Sequence, residues 1–302
     1  MKWLFYLSFV FLLNPAYGQS KNGFDLSEAL IPTDEIKPGG PPRDGIPSID
    51  SPKFIDAKKA KNIFSKKERA LIVEKGDEKK AYPISILNWH EIVNDKIDEF
   101  PIVVTFCPLC GTGIVFERNY RNKTLDFGVS GLLYQSDVLL YDRLTDSLWS
   151  QLLVKSVSGK YIGEKLKIVE SSHINLFKYL LENPKAKVLS PKTGHQRDYA
   201  RDPYENYDKT NKLYFPVNIL DWKKKNIKTW SLLILSEKPR ILSLNELKLS
   251  SGIKTIKIKD KNFKINYDKS EKKLLCLSKD YDCLTGYWFA LKTFYPNARE
   301  IK

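Results

Sequence analysis

Two cysteines in the first half of the chain are the residues best suited to chemistry. They form the motif Cys107-Pro108-Leu109-Cys110, in which two residues separate the thiols. Such a pair can bind a soft metal ion through two thiolates, or it can cycle between a dithiol and a disulfide when one thiol has a lowered pKa. It can also form a plain disulfide that braces a tight turn. All three interpretations stay open, because the sequence lacks the second CxxC that marks a zinc ribbon.

A metal site needs further ligands, and His90 is the natural third one. It lies in the segment Ile86 to Val93, whose apolar spacing predicts a short helix before the strand that leads to Cys107. Water, a carboxylate such as Glu91, or a substrate would take the fourth position, which makes the site an open one. Because thiolate and imidazole ligands favour copper or zinc, the leading hypothesis is a copper or zinc site at His90, Cys107 and Cys110 that supports a redox or metal-dependent reaction.

Thiol–disulfide exchange is a second function for the same motif, with Cys107 and Cys110 as catalytic thiols. In thioredoxin-like proteins the second cysteine lies in a helix that lowers the pKa of the first thiol. Here the residues from Gly111 to Phe116 predict a turn and another strand. This pattern counts against redox catalysis, and the sequence leaves undecided whether the protein is an enzyme.

The first 18 residues have the pattern of a secretory signal peptide. Lys2 supplies a positive charge, Trp3 to Leu13 is an unbroken apolar run, and Ala16-Tyr17-Gly18 is a small-x-small cleavage site. The run is shorter than the roughly 20 residues that cross a bilayer, and no later stretch approaches that length. We therefore expect a periplasmic or secreted protein with no transmembrane segment after signal cleavage.

Export changes what the four cysteines indicate. In an oxidising compartment an even number of cysteines favours disulfides, and the sequence-local pairings are Cys107 with Cys110 and Cys276 with Cys283. We predict the disulfide between Cys276 and Cys283, while a cross-link between the two halves stays open. A non-catalytic binding or structural module outside the cytoplasm, with all four cysteines in disulfides, is the alternative function.

Four further residues are candidates for substrate binding. Asp142 and Arg143 lie in the polar-rich stretch Phe127 to Gln151, and Arg197 and Tyr199 lie in a later aromatic loop. We expect them to line one pocket with the CxxC segment and to bind an unknown small molecule or a glycan, since tyrosine rings offer a flat apolar face. Taken singly, Asp and Arg residues at strand ends more often form structural ion pairs and turn hydrogen bonds.

The charge of the chain does not indicate a nucleic-acid partner. Lys and Arg total 50 against 36 Asp and Glu, a formal charge of +14. Most of the cations are lysines spread through every region, whereas specific nucleic-acid binders cluster their basic residues and use arginine forks. The pattern indicates a solvated, lysine-rich surface.

Turn and strand signals predict an α+β, β-dominated and largely antiparallel protein. We divide the chain into the signal peptide 1–18, an extended Pro/Gly-rich segment 19–52, a first lobe 53–210 with the CxxC, and a second, shorter lobe 211–302. The two lobes are predicted to be related, because aligning Pro184 with Pro296 also matches Phe177 with Phe289 and Ala186 with Ala298. Residues 229–232 also resemble residues 81–84, in register with the strands that follow each segment.

Six segments together resemble a known family. They are GGPPRDGIPSID (39–50), YPISILNWHEIVND (82–95), VTFCPLCGTGIVF (104–116), FGVSGLLYQSDVLLYDRLTDSLWSQ (127–151), TGHQRDYARDPYENY (193–207) and YWFALKTFYP (287–296). In this order they resemble the exported bacterial and archaeal family catalogued as domain of unknown function 3179. The resemblance covers most of the chain, and it implies no established activity.

Overall fold

The computed structural model describes residues 20–218, 226–247, 250–258 and 261–301. The predicted signal peptide lies outside these residues. Within them, none of the helices has the length and apolar character needed to cross a membrane.

The described residues form 25 strands and four α-helices. The helices are α1 (Ala57–Ile63), α2 (Ile84–His90), α3 (Leu176–Glu182) and α4 (Trp288–Phe294). The strands are β1 (Ser20–Lys21), β2 (Phe24–Asp25), β3 (Ile36–Pro38), β4 (Phe54–Asp56), β5 (Arg69–Lys75), β6 (Glu78–Pro83), β7 (Ile92–Ile97), β8 (Phe100–Cys107), β9 (Thr112–Glu117), β10 (Asn119–Tyr120), β11 (Lys123–Thr124), β12 (Phe127–Tyr134), β13 (Asp137–Asp142), β14 (Leu148–Ser150), β15 (Lys155–Ser158), β16 (Ile168–Val169), β17 (Ser171–Asn175), β18 (Lys187–Leu189), β19 (Trp230–Ile234), β20 (Arg240–Ser243), β21 (Gly252–Ile258), β22 (Lys261–Asp268), β23 (Lys273–Cys276), β24 (Cys283–Tyr287) and β25 (Arg299–Ile301).

Five sheets make up most of the protein. Their strand orders are β15-β14-β13-β12-β3 in sheet 1, β16-β9-β8-β7 in sheet 2, β17-β5-β6-β18-β4 in sheet 3, β24-β19-β20-β25 in sheet 4 and β21-β22-β23 in sheet 5. Neighbouring strands are antiparallel except for the pairs β6 with β18 and β20 with β25. The described chain is therefore β-dominated and mostly antiparallel.

The α+β class and the division into two lobes are wrong. Each of the four described helices has seven residues, which is too short to form the helical layer of an α+β fold. One hydrophobic core contains Cys107 and Trp149 from the predicted first lobe together with Leu233 and Trp288 from the predicted second. The five sheets resemble a five-bladed β-propeller, not two lobes.

The repeat in the sequence instead reflects a motif shared by sheets 3 and 4. In sheet 3, β17 leads through α3 to β18, which runs parallel to β6. In sheet 4, β24 leads through α4 to β25, which runs parallel to β20. The matched residues 177 and 289 both lie in these connecting helices.

The structure does not reproduce the second predicted match, between residues 229–232 and residues 81–84. Trp230 pairs with Tyr287 just as Arg69 pairs with Asn175, so Trp230 occupies the position of Arg69 in β5. The predicted repeat instead aligns residues 229–232 with residues 81–84, which lie at the end of β6 and the start of α2. The repeat therefore covers one sheet and its crossover helix.

The Pro/Gly-rich segment packs along sheet 1. Its strand β3 pairs with β12, and its side chains Phe24, Leu26 and Ile36 are buried in a core with Tyr141. Gly39 donates its N–H to the carbonyl of Gly131 at 2.8 Å, which joins the segment to the same strand. The segment therefore helps to hold the β12–β13 hairpin in place.

Candidate functional site

The CxxC motif forms the turn between β8 and β9. Cys107 is the last residue of β8 and pairs with Thr112, the first residue of β9. Gly111 in this turn has a φ of 63°, a left-handed conformation that glycine adopts without a steric penalty. Both cysteines are buried, and strand β9, not a helix, comes directly after the turn. The turn and strand predicted from the sequence are present.

A second hairpin turn faces the two sulfurs. Gln135 and Ser136 connect β12 to β13 and have φ values of 51° and 65°, as in the two-residue turns that suit a twisted hairpin. The carbonyl oxygen of Ser136 accepts from Cys107 Sγ at 3.5 Å and from Cys110 Sγ at 3.3 Å. The turn thus brings the first residue of β13, Asp137, to the cysteines.

Asp137, Cys107 and Cys110 form a buried cluster of potential metal ligands. One ligand atom from each lies within 4.8 Å of the others. The Oδ2 atom of Asp137 accepts the backbone N–H of Leu152 at 3.0 Å. Its Oδ1 atom is buried and has no hydrogen-bond partner. Because buried polar atoms are nearly always paired, this oxygen is the least expected feature of the cluster.

Burial disfavours the charged form of all three groups. It raises the pKa of the Cys107 thiol, raises that of Cys110 further, and raises the pKa of Asp137 to about 7. A reactive cysteine needs the opposite shift, which a helix N-terminus or a neighbouring cation provides. The environment therefore does not activate either thiol for exchange reactions.

Glu91 is a second buried carboxyl close to the cluster. Burial is the main cause that raises its pKa to about 8, and the charge of Asp137 adds to the shift. Glu91 follows α2 with a φ of 58°, and its carbonyl accepts the N–H of Phe106 in β8 at 2.7 Å. It also lines a cavity of about 310 Å³ together with Leu109 of the CxxC loop. Glu91 thus lies between the cysteine cluster and that cavity.

A protein-family model described as "Protein of unknown function (DUF3179)" matches residues 43–282. The chain belongs to the DUF3179 family. This confirms the resemblance that the sequence segments indicated. The matched region contains Glu91, Cys107, Cys110 and Asp137, and it ends one residue before Cys283. Comparison with curated proteins and with solved structures gave no match.

In this DUF3179 chain, His90 lies outside the ligand cluster. Its Nδ1 is hydrogen-bonded to the carbonyl of Pro47 and its Nε2 to the hydroxyl of Tyr199, both at 2.7 Å. Its ring lies 5.2 Å from that of His195, and burial lowers the pKa of His90 to about 4. Both ring nitrogens are therefore engaged, and the third potential ligand beside the cysteines is Asp137.

The four predicted substrate-binding residues do not come together at the CxxC loop. Asp142 accepts from Thr145 and from the indole of Trp149, as a turn-stabilising carboxylate does. Arg143 forms an ion pair with Asp44 at 3.2 Å.

The other two predicted residues belong to a different loop. The guanidinium of Arg197 lies 5.9 Å from the centre of the Trp89 ring, and Tyr199 bonds His90. Neither the Glu91 cavity nor the larger cavity beside Pro108 is lined by any of the four.

The cysteine pairing of the second half is confirmed. Cys276 and Cys283 form a disulfide, with their Cα atoms 6.5 Å apart. Cys107 and Cys110 are free thiols.

Sequence reasoning did not single out Asp137. Its signal was a polar Gln135-Ser136-Asp137 run between two β-rich segments, which marks a hairpin turn. The sequence does not show which residues face the turn from another sheet.

Proposed function

We propose that this DUF3179 protein binds a soft metal ion at Cys107, Cys110 and Asp137. The observation that carries the proposal is the Asp137 carboxyl, which has one oxygen within 4.8 Å of both sulfurs and whose buried Oδ1 has no hydrogen-bond partner. A cation at this point would pair the oxygen and would offset the cost of burying three groups that ionise to anions.

The set of donor atoms favours zinc over copper. Zinc binds thiolate sulfur and carboxylate oxygen in one tetrahedral site, whereas copper(I) is selected by thiolates and thioethers. Three protein ligands leave a fourth position, as in catalytic zinc sites. When bound, such an ion would act as a Lewis acid toward a ligand in that position.

Glu91 is the residue suited to handle a proton at this centre. Glu91 is buried, is one of the residues that line the 310 Å³ cavity, and lies close enough to Asp137 for their charges to interact. None of the three proposed ligands lines this cavity. The walls of the cavity are mainly apolar, with Leu133, Val138 and Phe215 among them. A small molecule held there would contact mainly apolar side chains and would lie beside Glu91.

Thiol–disulfide exchange is less well supported as the function. Both sulfurs are buried, and burial raises the pKa of both thiols. Exchange requires a thiolate that a partner disulfide can reach. The non-catalytic module with four paired cysteines has support from the Cys276–Cys283 disulfide alone.

Elemental analysis with thiol counting tests the metal site and separates its two possible ligand sets. We expect about one zinc per wild-type chain, and loss of the metal in Cys110→Ser and in Asp137→Ala, because each removes a ligand. His90→Ala should keep the metal, since His90 is not in the cluster.

The control is Cys276→Ser/Cys283→Ser, which changes two cysteines outside the cluster and should retain the metal. Loss of metal in His90→Ala but not in Asp137→Ala would replace our ligand set with the one predicted from the sequence. A metal-free wild type with a Cys107–Cys110 disulfide, prepared in zinc without chelators, would overturn the proposal.

Export to the periplasm or the medium is part of the same proposal. The apolar run and cleavage site in residues 1–18 support it, and disulfides such as Cys276–Cys283 persist in oxidising compartments. N-terminal sequencing of protein from the exported fraction should begin at Gln19. An N-terminus at Met1 would contradict export by signal cleavage.

A further inference from the structure

The cavity beside Glu91 is the place where the described chain is best suited to bind a small organic molecule. Its volume is about 310 Å³, at the lower end of the range of roughly 300–1,000 Å³ for small-molecule sites. Residues within 39–46, 129–138 and 204–215 form most of its wall. Three segments that are distant in the chain therefore enclose one small space.

The wall of this cavity has an unusual charge for this protein. Glu91 is the only Asp, Glu, Lys, Arg or His among the described residues that line it. The whole chain contains 50 Lys and Arg residues, yet the described wall has none of them. The cavity thus offers a carboxyl group without a cation, and it differs in this from the lysine-rich surface.

The carboxyl group of Glu91 has no partner among the described residues. Its side chain forms neither a hydrogen bond nor an ion pair with them. Unlike Asp137 Oδ1, its oxygens are not completely enclosed, and the residue keeps 8 % of its surface exposed. Buried carboxyl groups are normally paired or hydrogen-bonded. Because Glu91 lines the cavity, we assign the missing partner to a molecule bound there.

The groups near Glu91 also favour a positively charged ligand. Burial and then the charge of Asp137 raise the pKa of Glu91, and no cation in the described chain contributes. A ligand cation would favour the charged form of the carboxyl and would be attracted by it. A zinc ion bound to two thiolates and a carboxylate would still leave one net negative charge at the neighbouring centre. The preference for a cation therefore holds with and without the metal.

The rest of the wall is suited to a ligand with an apolar body. Leu133 and Val138 offer hydrocarbon surface, and Tyr204, Tyr214 and Phe215 add aromatic rings. The faces of aromatic rings attract ammonium groups. The hydroxyl of Tyr204 has no hydrogen-bond partner in the described chain and is not completely enclosed, so it is a second polar contact for the same group.

We propose that this cavity binds a small organic amine, with its ammonium group at Glu91 and Tyr204 and its hydrocarbon body against the apolar wall. The proposal names the class of molecule that would lie beside the metal centre. Binding itself does not require the metal, because none of the three proposed metal ligands lines the cavity.

Three molecules with one aromatic body and different polar ends test the charge preference. They are phenethylamine, phenethyl alcohol and phenylacetate, measured by calorimetry on the purified full chain. We expect the amine to bind, the alcohol to bind at least roughly tenfold more weakly, and the acid not to bind, because only the amine forms a charge-assisted bond to the carboxylate.

Hexylamine, hexanol and hexanoate repeat the comparison with a flexible body. Equal binding of amine and alcohol in both series would show an apolar cavity without charge recognition and would overturn the proposal. Absence of amine binding in both series would overturn it as well.

Glu91→Gln tests the assigned contact, because it keeps the size of the side chain and removes its charge. This variant should weaken binding of the amine roughly tenfold and change binding of the alcohol little. Glu68→Gln is the matched control: Glu68 accepts the backbone N–H of Ser85 at 2.9 Å and does not line the cavity. Full amine binding in Glu91→Gln, or equal weakening in the control, would remove Glu91 from the site.

The unfolding temperature of the free protein separates a binding role from a structural one. Because the Glu91 carboxyl has no partner in the described chain, Glu91→Gln should leave this temperature unchanged or higher. Tyr204→Phe keeps the ring, removes the hydroxyl and should weaken amine binding several-fold. A lowered unfolding temperature in both variants, with equal loss of amine and alcohol binding, would show a structural role and overturn the assignment.

Cys110→Ser distinguishes this site from the metal site. It should bind the amine as the wild type does, whether or not it has lost its metal, so failure of the metal proposal leaves this one standing. Loss of amine binding in Cys110→Ser with full binding in Glu91→Gln would place the amine on the metal ion and would overturn the cavity site.

Discussion

The protein has two cysteine pairs, and strand β24 connects their surroundings. The strand begins at Cys283, and its last residue, Tyr287, donates its N–H to the carbonyl of Cys110 at 2.8 Å. The first pair, Cys107 and Cys110, is buried beside Asp137. Cys276 and Cys283 are only partly buried and are bonded to each other.

The difference shows what each pair contributes. A disulfide reduces the conformational freedom of the unfolded chain, and its two sulfurs need no further binding partner. Two buried thiols beside a buried carboxyl group with an unpaired oxygen instead lower the stability of the fold unless something binds them. Groups that cost stability in this way are typical of functional sites. The second pair therefore has a structural role, and the contrast supports the binding role that we propose for the first pair.

Thiol reactivity is the property in which the two pairs should differ most. In chelator-treated native protein, Cys107 and Cys110 should react with a disulfide reagent at least roughly 100-fold more slowly than in guanidinium, because both are buried and have raised pKa values. After mild reduction, Cys276 and Cys283 should react within the native protein. Fast modification of Cys107 and Cys110 in native buffer would contradict the predicted difference in reactivity between the two pairs.

Removal of the disulfide is expected to have the largest effect on stability. Cys276→Ser/Cys283→Ser should lower the free energy of unfolding by roughly 2–3 kcal/mol, the loss expected for opening a short loop. The residues are seven positions apart. Denaturant unfolding measures the change. Wild type in reductant should shift to the same midpoint, and the variant should not respond to reductant; a response of the variant would show that the first pair also forms a disulfide.

The sequence predicted the local elements near these pairs better than their assembly. The hairpin around residue 76 and short helices near His90 and Phe177 are present as β5–β6, α2 and α3, because apolar spacing and turn residues act over a few positions. The Cys276–Cys283 pair was also predictable from its short spacing. The arrangement of five sheets depends on contacts between distant residues, which local patterns do not encode.

His90 illustrates the limit for the site. It precedes the strand that leads to Cys107, but its imidazole is held by Pro47 and Tyr199, from two segments far away in the chain. Asp137 reaches the sulfurs because a hairpin of sheet 1 lies against the CxxC turn of sheet 2. Residue types and spacing identified the thiols, and only the packing of two sheets identified their third partner.

Gly286 tests how closely β24 must approach the CxxC loop. A Cβ at this position would overlap Thr112 Cγ2 and would lie 3.1 Å from the carbonyl oxygen of Cys110. Gly286→Ala should therefore cost about 1–2 kcal/mol of stability through overpacking, measured by denaturant unfolding. Thr112→Ser keeps the hydroxyl that donates to Gln151 and removes the overlapping methyl.

The double variant completes this test. Gly286→Ala with Thr112→Ser should recover part of the lost stability, because the two substitutions act on one contact. Strictly additive effects would show that the close approach of β24 to Thr112 is not the cause of the loss.

The smallest expected change in stability concerns the hairpin turn at Ser136. This turn contacts the first cysteine pair, whose two sulfurs are not bonded to each other. The Ser136 hydroxyl donates to the carbonyl of Phe215 at 2.9 Å, while its own carbonyl faces both sulfurs. Ser136→Ala should lose about 1 kcal/mol of stability, because it removes this hydrogen bond and keeps a side chain at a φ of 65°. Ser136→Gly loses the same bond, but glycine adopts this φ freely, so its net loss of stability should be smaller.

Denaturant unfolding in the Cys276→Ser/Cys283→Ser background provides the comparison, since the turn is then tested without the disulfide. Equal losses in the alanine and glycine variants would show that the left-handed turn carries no strain, and no loss in either would remove the turn from the set of contacts that hold the cysteines beside Asp137.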